Sequence, residues 1–184
     1  MKKTTSIIII AVIAIFFTAC SSREKKLEKI TKLEKELFSD KVTRLDTTKA
    51  NEIIKLYISF AEDFSSDSLA PVYLFRAADL SMNMQNGNQA VQLFDKVIQK
   101  YPKYEKTPDS YFLCAFAYEN VLKNFTKANQ YYTDFIAKFP THDLFNDAKV
   151  SLSNLGKTPE QLVAEFEAKQ SAQDSLQQLA EKKK

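Results

Sequence analysis

Glycine is almost absent from this chain, with 2 residues in 184, and proline is scarce at 5. Tight hairpin turns and phosphate-cradling loops both depend on glycine, so the composition argues against an all-β fold and against a glycine-rich nucleotide site. Tryptophan is missing, histidine occurs once (His142), and cysteine occurs twice, at Cys20 and Cys114. That inventory is too small for a disulfide framework or a zinc site of histidines and cysteines, and it leaves a Ser-His-Asp hydrolase one candidate imidazole. No metal or cofactor is expected. Charge of one sign is also lacking. The 26 basic and 23 acidic residues leave a net charge of +3, too little to attract a polyanion, and no nucleic-acid partner is expected. What the chain does have is 45% hydrophobic residues, 14 Phe and 8 Tyr among them, against 27% charged. The composition is that of a folded, all-α scaffold with aromatic packing.

The first residues read Met1-Lys2-Lys3, then Ile7 to Phe17 without a polar side chain, then Thr18-Ala19-Cys20. A basic start, a short apolar run and a small residue before a cut site make a secretory signal over residues 1–19. The run is about half the ~20 residues a membrane-spanning helix needs. Phe17-Thr18-Ala19-Cys20 resembles the lipobox of bacterial lipoproteins, with Phe17 in place of the commoner Leu. The resemblance implies cleavage before Cys20 and a diacylglycerol on its sulfur, with further acylation at the new amine. Palmitate is the label to expect there, and the covalent lipid is the only non-protein group expected. Two or three acyl chains make such an anchor stable where one does not. Ser21 is not the Asp that retains many lipoproteins in the inner membrane, so the resemblance implies the outer membrane, facing the periplasm. The mature chain would open on a lipid-anchored amphipathic helix and linker, residues 20–45. In it Leu27, Ile30, Leu33 and Leu37 alternate with charges, as in a short coiled coil or stalk.

A shift of 38 residues superimposes two long stretches. Tyr73-Leu74 falls on Tyr111-Phe112, Ala77 on Ala115, Ala90 on Ala128, Phe94 on Tyr132, and Tyr101-Pro102 on Phe139-Pro140. The matched positions lie three and four apart, which is helical spacing. Each unit, 71–102 and 109–140, reads as two helices, with Pro102 and Pro140 halting the second. In the first unit, helix A is expected over 71–85, a turn at Asn86-Gly87-Asn88, and helix B over 89–101. In the second, helices are expected over 109–123 and 126–139. Small residues in both helices, an aromatic in helix B and a closing proline resemble the tetratricopeptide repeat. Ala77, Ala90, Phe94 and Pro102 carry the resemblance in one unit, and Ala115, Ala128, Tyr132 and Pro140 in the other. The period of 38 is longer than the family's usual ~34.

Isolated units cannot bury their apolar faces, so the flanks must contribute. Residues 46–64 read as the B helix of a degenerate first unit, capped by Asp46 or Thr47. Residues 142–155, ended by Gly156, and a helix begun by Thr158-Pro159 read as a divergent third unit closing the solenoid. The repeat domain is thus expected over 46–168, with a polar tail over 169–184.

Little chemistry is visible. His142 sits before a helix beside Asp143, where a turn or cap role fits better than catalysis, and Cys114 lies between apolar residues like an ordinary core thiol. No enzyme and no small-molecule substrate are expected. The tetratricopeptide resemblance implies a concave groove that takes a protein segment, with Arg76, Asp79, Met82, Phe116, Glu119 and Asn120 as candidate contacts. The expected function is a lipid-anchored envelope scaffold for protein partners. It resembles the accessory lipoproteins of outer-membrane barrel assembly and the periplasmic coordinators of the Tol-Pal system. The alternative is a glycan-binding or activating accessory of a cell-wall or secretion enzyme, which would need several aromatic rings exposed in the groove.

Overall fold

Capping chemistry and small-residue spacing divide the chain into an array of antiparallel helices. The structure, a computed structural model, describes residues 22–38 and 45–181. Its helices are α1 (22–37), α2 (Thr47–Asp63), α3 (Leu69–Asn83), α4 (Gly87–Lys100), α5 (Thr107–Asn120), α6 (Phe125–Lys138), α7 (Phe145–Asn154) and α8 (Pro159–Glu181). There is no strand among the described residues. Cys20 and the signal segment 1–19 lie outside them.

The 38-residue shift is written into the backbone. Asn86 and Asn124 cap α4 and α6 identically, each side chain accepting from the amide three residues on, Gln89 at 3.3 Å and Lys127 at 3.0 Å. Just before each cap the chain turns through a left-handed residue, Gln85 at φ 60° and Lys123 at φ 53°. The turn therefore falls two residues earlier than expected, at 84–86, and Gly87 is the first residue of α4 instead of a turn residue. A Cβ on Gly87 would stand 2.8 Å from the Val121 side chain and 2.9 Å from that of Leu122, so any larger residue would force the segment after α5 to shift. The B helices also end alike. Tyr101 and Phe139 have φ, ψ of −128°, 57° and −129°, 57°, followed by Pro102 and Pro140.

The same ending appears at Phe64, with φ, ψ of −126°, 49°, which makes α2 a B helix, as expected. Its A helix is α1. Ile30, Leu33 and Leu37 are buried in one core with Ile53, Ile54 and Tyr57 of α2 and Leu74 and Ala77 of α3. Arg23 pairs with Asp67 and Lys26 with Asp63 at one end, and Glu36 with Lys49 at the other, so the two helices run antiparallel. Exposed ion pairs contribute little. The three apolar side chains contribute about 1.5–3 kcal/mol each and hold α1 in place. The stripe that reads as a stalk is thus a packing face, and the array begins before residue 46.

Successive helices pack on one another from α2 through α7. Helix α5 is covered on two sides. Cys114 and Ala117 join the first core, while Ala115 joins a second with Ala128, Tyr132, Phe135 and Ala148. A helix so sandwiched needs small residues on several faces, which is why α5 shows no single apolar stripe. The third unit is incomplete. Helix α7 packs on α6, but α8 contributes no buried side chain through residue 178, and Val163 and Phe166 are 56% and 67% exposed. The reading of α8 as a closing B helix is therefore corrected. Its first turn is secured locally, because Thr158 and Gln161 cap each other reciprocally. That capping, together with good helix formers, sustains α8 with little tertiary packing.

Candidate groove between the A helices

Helices α1 and α3 face each other across a groove of about 620 Å³. Thr31, Glu34, Lys35 and Phe38 line one wall, and Arg76, Asp79, Leu80 and Asn83 the other. Both sets follow the same i, i+3, i+4, i+7 spacing, so each is one continuous helical face. Tyr57 of α2 closes the floor.

The floor is held by a three-way contact. Glu34 Oε1 accepts from Arg76 Nη1 at 2.6 Å and from the Tyr57 hydroxyl at 2.7 Å. Burial, followed by the Glu34 carboxylate, pushes the Tyr57 phenol far up, so it remains a neutral donor. The Tyr57 ring stacks on Tyr73 at 5.2 Å, and the Arg76 guanidinium lies 5.8 Å from the Tyr73 centroid. Higher on the α3 wall, Asp79 is half-buried and its pKa is raised by desolvation. Its side-chain partner is Asn83 Nδ2, at a long 3.4 Å. Phe38, 57% exposed, forms the apolar rim.

The six expected contacts separate in space. Arg76 and Asp79 line the groove. Met82 does not, because α3 is packed on both flanks and Met82 falls on a buried one. Phe116, Glu119 and Asn120 lie on α5, away from the groove walls. Glu119 accepts the Tyr132 hydroxyl at 2.8 Å and braces α5 to α6. Asn120 donates to the Phe116 carbonyl at 3.2 Å within its own helix. Phe116 is exposed. The α5 counterparts of Arg76 and Asp79 under the 38-residue shift are Cys114 and Ala117, both fully buried, so the charged strip ends at α3. The groove residues of α1 and Tyr57 were not foreseen. The spacing of Thr31, Glu34, Lys35 and Phe38 was available in the sequence, but it becomes a wall only once α1 is known to dock. Ala77, Ala90, Phe94, Ala115, Ala128 and Tyr132 are fully buried, and Pro102 and Pro140 follow the B helices.

The other candidate groups have structural roles. The His142 Nδ1 accepts from the Leu144 amide at 3.2 Å, and Asp67 accepts from the Leu69 amide at 2.9 Å in the matching turn before α3. His142 therefore holds a repeat turn. Burial pushes the Cys114 thiol far up, which suppresses its reactivity. Among the described residues no three acidic, histidine or cysteine side chains gather as a metal site, and no helix is long and apolar enough to cross a membrane. A glycan cleft would present several rings. This groove presents one exposed ring, Phe38, and all eight tyrosines are buried or half-buried.

With this geometry in hand, residues 73–104 and 109–142 match the family model of the tetratricopeptide repeat. The matches fall on α3–α4 and α5–α6, the two units with the repeated caps and turns. No curated protein matches the chain. The fold is an all-α, tetratricopeptide-like solenoid, and repeats of this kind are protein-interaction modules, typically without catalytic activity.

Proposed function

We propose that this chain is a non-enzymatic, lipid-anchored scaffold of the cell envelope, and that it holds a protein partner in the groove between α1 and α3. The observation that carries the reading is the groove itself. Two parallel strips of side chains, polar with an apolar rim, face each other on A helices of a solenoid whose next two units carry tetratricopeptide repeats. Packed helices ordinarily turn such faces toward each other. Here Glu34 and Arg76 bridge the walls at the floor, and the space above them has room for a segment of another chain.

The anchoring half of the proposal rests on the Phe17-to-Cys20 motif. The described part of α1 starts at residue 22, so a lipid on Cys20 would tether the first repeat unit close to the bilayer surface. On this reading the signal segment is removed and the chain resides on the outer membrane, facing the periplasm, where it serves membrane-protein assembly or envelope maintenance. Labelled palmitate should enter the wild-type chain and not Cys20→Ala. Label in the variant would overturn the anchoring half. Copurification from the native cell should recover a recurring envelope protein with the wild-type chain and lose it with Phe38→Glu plus Asn83→Arg. Equal recovery by that variant would overturn the groove half.

A further inference from the structure

The charges in the groove are not equivalent. The Arg76 guanidinium and the Glu34 carboxylate neutralise each other at 2.6 Å, and the Tyr57 hydroxyl occupies Glu34 as well. The fixed cation at the floor is therefore already used. Lys35 is exposed at the α1 rim, on a long stem that water and salt screen. Asp79 differs from all three. It projects from the middle of the α3 wall, it is half-buried, and no cation among the described residues comes within ion-pair distance of it. A partly desolvated carboxylate without a cation is disfavoured in its charged form, and burial does raise the Asp79 pKa. An incoming cation would remove that penalty and gain a charge-assisted hydrogen bond. Phe38 opposite supplies an apolar surface, to which Leu80, next to Asp79 and largely buried, adds an edge.

From this arrangement we infer that the partner segment is basic: a lysine or arginine side chain pairs with Asp79, and a neighbouring apolar side chain covers Phe38 and Leu80. The inference rests on the groove reading above and adds the chemistry of its occupant. An acidic segment would have to take Lys35 alone or separate Arg76 from Glu34, and would place its own charge beside Asp79. The wall from Thr31 to Phe38 runs about 10 Å at 1.5 Å per residue, the length of two helical turns or of three to four extended residues. A short contiguous motif is enough to fill it.

Fluorescence anisotropy with the purified full chain tests this. The probes are three twelve-residue peptides with identical glycine–serine flanks. Their four-residue cores are two leucines bracketed by lysines, by glutamines or by glutamates. The lysine peptide should bind about tenfold more tightly than the glutamine peptide, and the glutamate peptide most weakly. Asp79→Asn should abolish the preference for lysine over glutamine and leave the glutamine peptide unchanged. Phe38→Ser should weaken all three. A preference for glutamate, or a lysine preference that survives Asp79→Asn, overturns the basic-partner inference while leaving the groove reading in place. Binding of none of the peptides, or binding indifferent to Phe38→Ser, overturns the groove reading and this inference with it.

Discussion

Asp79 and Gly87 hold opposite positions in the same unit, one an electrostatic cost and the other a steric necessity. Desolvation raises the Asp79 pKa, so the folded state holds its proton more tightly than the unfolded chain does. Stability attributable to this residue therefore falls as pH rises from the ordinary carboxylate range through the raised value, and the penalty is fully present above it. Asp79→Asn removes the charge at every pH. The variant should melt at a higher temperature than wild type at pH 7, and the gain should vanish below the ordinary carboxylate range, where Asp79 is protonated in both states. A gain that is the same at both pH values would assign it to something other than charge. Gly87→Ala tests the steric side. On an open helix the change stabilises by about 0.5–1 kcal/mol. Here the added methyl meets Val121 and Leu122 at under 3 Å, and overpacking of this kind costs about 1–3 kcal/mol. Urea unfolding should show a lowered midpoint with an unchanged slope.

At the scale of the element, packing separates helices that sequence patterns make look alike. Helices α4 and α8 both carry apolar residues at helical spacing, yet Phe94 is fully buried and Phe166 is 67% exposed. Phe94→Ala should cost about 3–5 kcal/mol, whereas Phe166→Ser should stay within about 0.5 kcal/mol. A large loss from Phe166→Ser would mean that α8 packs as a B helix after all. The two central units were legible because their small residues recur where helices cross, at Ala77 and Ala90 and again at Ala115 and Ala128. Of the first unit only its B helix, α2, was; α1 was not, because it places Ile30 and Leu33 on its packing face, with charges between them, and reads as a free amphipathic helix. Helix α8 misled in the other direction. Threonine, proline and glutamine at its start mark a helix correctly, but a cap says nothing of what the helix then touches.

At the scale of the whole molecule, the two units that match the tetratricopeptide model are extended in front by α1–α2 and behind by α7, and the charged strip occupies the front of the array. The class of fold follows from composition and period alone. The location of the groove does not, because it depends on which flank of each A helix is covered. Arg76 and Asp79 fall on the open strip, Met82 one position into the core, and Glu119 on a brace to Tyr132, although all four looked equivalent along the chain. The central claim is that a protein partner lies in this groove. A photo-crosslinking amino acid placed in the native cell at Asn83 or Thr31 on the walls, and at Gln99 or Lys149 on α4 and α7 as exposed controls, tests it directly. The account predicts one discrete adduct, the same from both wall positions and absent from both controls. Adducts from the controls alone, or none from either wall, would contradict it.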